Sequence, residues 1–226
     1  MASIPFPEKK SFFAQYWFGF VIGALLLYVV PPFLAPIFMS AGWHGLGRAI
    51  YFIYSFLCHQ LPERSYFLLG AQLTYPLPQI LQAAGVNNPN NFFALRQFIG
   101  NAQMGWKVAW SDRMVWMFTS IPLLALVWYP LRRHLPRLPW WGFILLLLPM
   151  ALDGGTHFIS DLQGMSVGFR DTNLWLAALT NHLFPPMFYV GDAWGSFNSI
   201  MRLGTGILFG LGLVWFGFPY LEEAFA

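Results

Sequence analysis

The chain has 226 residues, of which 57% are hydrophobic and 9% charged, with a formal net charge of +3. A soluble domain of this size needs far more charge to cover its surface, so the composition predicts a membrane protein. The twelve basic residues are scattered and form no stripe along a phosphate backbone, which argues against a nucleic-acid partner. The single cysteine, Cys58, excludes an intramolecular disulfide and any site built on several thiolates.

Five apolar segments are candidates to cross a lipid bilayer. We predict an all-α polytopic integral membrane protein, forming one membrane domain over residues 1–226. The predicted spans cover about residues 12–39, 43–57, 115–129, 140–152 and 201–220. The first span is over-long and holds three prolines, so we expect it to kink or end near Val30.

Two long loops, residues 62–112 and 154–199, separate these spans and fall on one membrane face in the predicted topology. Within them, residues 65–84 and 174–189 are apolar but contain prolines, which favours interfacial or re-entrant helices over continuous spans. The loops are rich in tryptophan. They are therefore candidate contact surfaces for other membrane subunits, beside the lipid bilayer itself.

Polar residues gather at the ends of four spans that five crossings place at the same face. Because ionisable groups near a bilayer are costly unless paired, such convergence predicts a polar pocket or an ion-pair network. The candidate residues for ligand binding or for the network are Cys58, His59, Gln60, Arg64, Asp112, Arg113, Asp153, Thr156, Asn198 and Arg202.

A metal site is one interpretation of this cluster. Asp153, His157 and Asp161 recur every four residues, which would place them along one side of a helix. Together with His59 they would offer the mixed nitrogen and oxygen ligands that a divalent cofactor such as zinc, iron or manganese accepts. Gly154 and Gly155 would break this arrangement if the helix ended there.

Ion pairing is the other interpretation. The side chains of Arg64, Arg113 and Arg202 would pair with Asp112 and Asp153 and tie the helix ends together. Three arginines against two acids would also leave room for a small anion such as phosphate or carboxylate.

A thiol beside an imidazole raises a third possibility, a membrane-bound hydrolase or transferase. Cys58 would be its nucleophile, and His59 or His157 would act as base. Adjacent helical residues point about 100° apart, which favours packing and hydrogen-bonding roles for Cys58 and His59 instead.

The segment Cys58–Ser65, CHQLPERS, resembles the CHQxPxRS motif of an uncharacterised prokaryotic family of small membrane proteins, a domain of unknown function. Asp153–Gly154 and the run from Arg202 to Gly206 also match, and the resemblance covers the second span onward. This chain is a divergent member of that pattern. Where the family shows CxRCTG, residues 111–114 retain the arginine and lack both thiols, which speaks against a thiolate-rich metal site.

The sequence therefore predicts a pocket that binds a metal ion or a small anionic ligand. The alternative is an accessory subunit of a larger membrane complex, such as an energy-transducing assembly, in which the polar cluster only braces helices. For orientation in the cell membrane, Lys9 and Lys10 oppose Arg132, Arg133 and Arg137 under five crossings. The three arginines outnumber the two lysines, which favours a cytoplasmic location for the loop that carries them. The face with the polar residues is then extracytoplasmic.

Overall fold

The computed structural model describes residues 12–225; Lys9 and Lys10, on which part of the orientation argument depends, lie outside them. Its elements follow in chain order. They are α1 (Phe12–Val29), α2 (Pro31–Ser40), α3 (His44–Tyr54), a 3-10 turn (Pro62–Arg64), β1 (Ser65–Leu68), α4 (Leu77–Ala84), α5 (Phe92–Gln97), β2 (Gly100–Asn101), β3 (Gly105–Ser111), α6 (Asp112–Leu131), α7 (Trp140–Asp161), α8 (Phe169–Thr172), α9 (Leu174–Leu179), α10 (Pro186–Tyr189) and α11 (Phe197–Phe225).

Four of these helices, α1, α6, α7 and α11, are long and apolar enough to cross a membrane, by length and composition. The prediction of a mostly helical membrane protein is thus confirmed at that level. Helix α11 packs extensively against both α6 and α7, and α1 packs against α6 and α11. The first, third, fourth and fifth predicted spans correspond to these four helices.

The second predicted span, over residues 43–57, does not form a helix of membrane-spanning length. Helix α3 has 11 residues, and at 1.5 Å per residue it is about 16 Å long, roughly half the hydrocarbon thickness. It packs instead against α2, which also lies along β3. The expected break near Val30 is present, because α1 ends at Val29 and α2 begins at Pro31.

The direction of α1 follows from its ring contacts. Near its start, Phe18 stacks on Tyr129 at the far end of α6, with ring centroids 4.0 Å apart. Near its end, Tyr28 lies 5.2 Å from Trp110, just before α6 begins. Helix α1 therefore runs antiparallel to α6, and its amino-terminal end shares a face with the loop that follows α6.

A three-stranded antiparallel sheet in the order β1-β3-β2 lies within the first long loop. The all-α prediction contained no sheet. Strand β3 is its centre, and Val108, Ala109 and Trp110 in it are fully buried. Two glycines allow the strands to approach: a Cβ on Gly105 would lie 2.3 Å from the Leu68 carbonyl oxygen, and one on Gly100 would lie 2.1 Å from the Gly105 oxygen.

We call α2, α3 and the sheet the cap. It contacts the bundle at the end where α6 and α11 begin and α7 ends. Residues 65–84 contribute β1 and the short helix α4, and residues 174–189 contribute α9 and α10. None of the elements in these two segments has the length of a membrane span.

Two glycines on α11, spaced four residues apart, make close contact with α6, as small residues at this spacing allow in helix pairs. A Cβ on Gly206 would lie 2.9 Å from the Met117 backbone nitrogen, and one on Gly210 would lie 2.0 Å from the Ser120 hydroxyl. Around Gly19 and Gly23 on α1, by contrast, the described residues leave open space within 4 Å.

Candidate functional site: a charged cleft at the end of the helix bundle

The site begins with the sharp turn that follows α3. Gln60 adopts a positive φ of 52° there, and its buried amide donates to the carbonyl oxygens of Tyr51 at 2.9 Å and Ala109 at 3.0 Å. Cys58 lies beside it, with its sulfur accepting the backbone N–H groups of Gln60 and Ser111. The turn is therefore fastened to both α3 and β3.

His59 lies in this turn between buried Cys58 and buried Gln60 and is itself an exposed residue. Its Nδ1 accepts the backbone N–H of Leu61 at 3.0 Å. Because Nδ1 is an acceptor, the neutral ring carries its proton on Nε2. His59 therefore presents a hydrogen-bond donor to its surroundings.

Arg64 and Arg202 share one buried carboxylate, that of Asp192. Arg64 Nε donates to Asp192 Oδ2 at 2.8 Å, and Arg202 Nη1 donates to Asp192 Oδ1 at 2.7 Å. Arg64 also makes a two-pronged contact with Asp161 at 2.7 Å, while Arg202 Nε reaches Asp112 at 2.7 Å. Burial alone would raise the pKa of Asp192, but Arg64 and Arg202 hold it well below its usual range.

A second set of charges surrounds Asp153 on α7. Its Oδ1 accepts from Arg170 Nη2 at 2.6 Å, and its Oδ2 lies 2.7 Å from Arg113 Nη1. Arg170 Nη2 also lies 3.2 Å from His157 Nε2. The other ring nitrogen of His157, Nδ1, is buried without a hydrogen-bond partner in the described structure.

These ion pairs connect segments that are distant in the sequence. The 3-10 turn, α6, α7, α8, the loop before α11 and α11 itself each contribute at least one charged side chain. The network holds four arginines and five aspartates, counting Asp171, which lies 4.0 Å from Arg64. Buried and mutually paired charges of this kind fix the relative positions of helices.

A cleft of about 290 Å³ opens beside the network. Helices α6 and α7, the turn after α3, and α11 supply its walls. The lining residues are Leu57, Cys58, His59, Arg64, Ser111, Asp112, Arg113, Met114, Gly154, His157, Phe158, Asp161 and Arg202.

Most of the predicted site residues do come together here. Cys58, His59, Arg64, Asp112, Arg113 and Arg202 line the cleft, and Asp153 lies in the network behind it. Three others neither line the cleft nor join the ion pairs of the network. Gln60 fastens the turn, Asn198 donates to the backbone of Arg170 and Gly191, and the Thr156 hydroxyl bonds to carbonyl oxygens of its own helix.

The predicted metal ligands are placed differently from expectation. Helix α7 continues through Gly154 and Gly155 to Asp161, so the four-residue spacing is kept on one helix. The carboxylates of Asp153 and Asp161 nevertheless face arginines. Among residues 12–225, no three histidine, cysteine, aspartate or glutamate side chains are grouped so that they could hold a metal ion.

Sequence reasoning missed three members of the network: Arg170, Asp171 and Asp192. All three lie in the second long loop and are buried. A usable signal was present, because only 9% of this chain is charged and an isolated charge in an apolar loop needs a partner.

Glu63 and Lys107 form a separate buried feature beneath the turn. Lys107 is fully buried in β3 and donates from Nζ to the carbonyl oxygens of Gln60 at 2.7 Å and Arg96 at 2.8 Å. Both carboxyl oxygens of Glu63 are buried without a hydrogen-bond partner in the described structure. Burial raises the pKa of Glu63 to about 7 and lowers the pKa of Lys107 to about 7.

We expect Glu63→Gln to stabilise the protein at alkaline pH. The folded chain keeps a proton on Glu63 that the unfolded chain releases above its ordinary pKa of 4.5, so stability is lost as the pH rises from there to about 7. At pH 8 the substitution should add about 3 kcal/mol to the free energy of unfolding, and at pH 4 almost nothing. Thermal unfolding in a mild detergent across this pH range measures the difference. A gain independent of pH would contradict the assignment.

The chain has a detectable relative among known proteins, but that relative is itself uncharacterized. The chain is similar to an uncharacterized protein of Methanocaldococcus jannaschii, with 26% identity over 180 residues that cover 75% of this chain and 87% of that protein. No family model matches the chain. No solved structure matches it either.

Proposed function

We propose that the cleft binds a small anionic group, such as a phosphate or carboxylate. The observation that carries this proposal is a pair of donors in the lining that have no hydrogen-bond partner among residues 12–225: His59 Nε2–H and the Arg113 side-chain N–H groups other than those of Nη1. Hydrogen bonds in which the donor or the acceptor is ionised are roughly twice as strong as neutral ones, so an anion would strengthen its bonds to both neutral His59 and charged Arg113.

Arg113 differs from the other arginines of the network. Arg64 and Arg202 each use Nε and both terminal nitrogens on protein oxygens. Within residues 12–225, Arg113 contacts a carboxylate only through Nη1, and its side chain is 19% exposed. Its remaining N–H groups are available to a ligand.

The charge of the lining also favours an anion. Three arginines and two aspartates line the cleft, whereas the surplus acids of the network lie behind it. An anion therefore meets a formally positive wall at the cleft, although the network as a whole is close to neutral.

The same geometry supports binding more than cysteine chemistry. The Cys58 sulfur accepts two backbone N–H groups, and His59 Nδ1 is occupied by a backbone N–H. A base next to a nucleophile needs a free nitrogen directed at it. Both groups have structural partners instead, so a hydrolase or transferase that uses this pair is less well supported.

We also propose an orientation for the chain in the cell membrane. With four crossings, the end of α1 that follows Lys9 and Lys10 in the sequence shares a face with Arg132, Arg133 and Arg137. Under five crossings the two groups of basic residues lay on opposite faces and favoured opposite orientations. Under four crossings both favour the same orientation by the positive-inside rule. It places this face in the cytoplasm and the cleft on the extracytoplasmic side.

Binding of inorganic phosphate to the purified protein tests the proposal. Arg113→Ala should weaken binding by about tenfold or more, because a hydrogen bond to a charged group contributes about 1.5–3 kcal/mol, and His59→Ala should weaken it less. Arg48→Ala is the control: Arg48 is an exposed basic residue on α3 that does not line the cleft. Equal weakening by the control, or no binding to the unaltered protein, would overturn the proposal.

A second candidate function is an accessory subunit of a larger membrane complex. Large apolar side chains are exposed in the second long loop, among them Leu179, Leu183 and Met187 at 76–79% exposure. Such a surface fits other membrane subunits. Gentle purification that recovers fixed partner chains, with no phosphate binding, would favour this function.

We further propose that the chain belongs to the family with the CHQxPxRS motif. The motif residues have definite tasks in the fold: Gln60 and Cys58 fasten the turn, Arg64 joins the network, and Ser65 donates to the Leu61 carbonyl at 2.8 Å. A motif whose residues are used in this way is expected to persist among related proteins.

A further inference from the structure

We propose that the ligand of the cleft is a membrane amphiphile with a phosphate-type head group, which enters sideways from the bilayer between α6 and α7. This inference rests on the proposed anion site and adds the route and the chemical class of the ligand. Four features of the bundle carry it: the separation of two helices, the apolar mouth, the depth of the cleft and its size.

Helices α6 and α7 are poorly packed against each other. Each packs closely against α11, but direct contact between the two is slight. The ion pair between Arg113 and Asp153 joins them at the level of the cleft. The two helices therefore flank a gap. Helix α11, which packs against both, closes one side of it, and the charged groups of the cleft close the end where α6 begins.

The mouth of the cleft is apolar and open. Leu57 and Phe158 line the cleft and are 50% and 67% exposed. Phe158 continues the apolar surface of α7, where Ile159 and Leu162 are also exposed, at 56% and 73%. A surface of this kind is expected to meet lipid chains, whereas the interior of the cleft presents donors and charges.

The depth of the cleft matches that of lipid head groups. Its lining comes from the first turn of α6 and the last two turns of α7. Helix α6 has 20 residues, so it is about 30 Å long and matches the hydrocarbon core of a bilayer. Asp112 and Arg113, at its first turn, are then at the boundary where phosphate groups lie.

The size of the cleft selects a head group and excludes the chains. Pockets that enclose whole small ligands are typically about 300–1,000 Å³, and this cleft is at the lower limit with about 290 Å³. The phosphate would occupy the space beside Arg113 and His59. The acyl chains would stay outside, along Phe158 and Leu57.

Two probes with the same head group test this inference: dioleoyl phosphatidic acid and its chain-free counterpart, glycerol 3-phosphate. Binding of each to the full chain is measured in a mild detergent, by native mass spectrometry for the lipid and by calorimetry for glycerol 3-phosphate. We expect the lipid to bind at least tenfold more tightly. Phe158→Ser should weaken lipid binding several-fold and glycerol 3-phosphate binding much less, whereas Ile159→Ser, on a neighbouring exposed residue outside the lining, should change neither.

Adjacent glycines provide a blocking variant and its control. A Cβ on Gly154 lies 3.8 Å from Arg113 Nη1 and points into the cleft, whereas a Cβ on Gly155 meets open space. Gly154→Leu should therefore abolish binding of both probes, and Gly155→Leu should abolish neither. Because both substitutions replace a helical glycine, their effects on helix stability are matched.

The possible results separate the two proposals. If glycerol 3-phosphate binds as tightly as the lipid and Gly154→Leu abolishes both, the anion site stands and the lateral route is wrong. If Gly154→Leu leaves the binding of both probes unchanged, or neither probe binds, the anion site itself is wrong and the lateral route fails with it.

Discussion

Arg202→Ala is expected to reduce the free energy of unfolding by about 3–5 kcal/mol, because it removes the arginine that pairs with buried Asp112 and one of the two that pair with buried Asp192. The Arg202 side chain is 2% exposed, and it bonds to Asp112 and Asp192 at 2.7 Å. Asp192 would keep Arg64, but Asp112 would lose the only arginine that pairs with it in the described structure. A large fall in unfolding temperature in detergent, with lower yield of folded protein, is the expected observation.

Arg137→Ala is the matched control at the opposite face. Arg137 also pairs with a carboxylate, that of Glu223, but the two side chains are 58% and 54% exposed. Exposed ion pairs contribute little because water screens them. The unfolding temperature should stay unchanged. If the two substitutions had equal effects, Arg202 would not be a central member of the network.

Asp153→Asn should be nearly as damaging, by about 3 kcal/mol, since it leaves Arg170 and Arg113 without their carboxylate. Asp153 is 2% exposed and Arg170 is 6% exposed. The amide keeps the shape of the side chain, so the loss reports on charge and not on packing. Thermal unfolding measures it.

Thr156→Ala is the control for this substitution on the same helix. Among the described residues, its hydroxyl bonds only to the carbonyl oxygens of Leu152 and Asp153, so unfolding should hardly change. Phosphate binding measured in parallel separates bracing from ligation. If Asp153→Asn abolished phosphate binding without any loss of stability, the carboxylate would act on the ligand and the bracing role would be wrong.

The convergence of charged residues at one end of the bundle could be predicted from the sequence, although that prediction assumed five spans. The described residues form four helices long and apolar enough to cross a membrane. Residues 43–57 are apolar, and hydropathy alone does not distinguish a short cap helix from a span. The starts of α6 and α11 and the end of α7 nevertheless meet at one end of the bundle, as the sequence predicted. Each of these helices matches an apolar block with a charged end, and that pattern depends only on local sequence.

The sheet and the loop charges could not be located in the same way. Strand β3 reads GWKVAWS, and its buried Lys107 obscures the apolar character of the strand. Arg170 lies in the four-residue helix α8 and Asp192 in the loop between α10 and α11, where no period relates them to the spans. Their partners are set by how the loop folds back over the bundle, which spacing in the sequence does not encode.

The direct junction between β3 and α6 has a mechanical consequence. Strand β3 ends at Ser111 and α6 begins at Asp112, so no flexible residue intervenes. A change in the tilt of α6, such as a thinner bilayer would impose, is therefore transmitted rigidly to the central strand of the cap. Because the turn that carries His59 is fastened to the same strand, the tilt moves Arg113 and His59 together relative to α7, so bilayer thickness would set the width of the cleft.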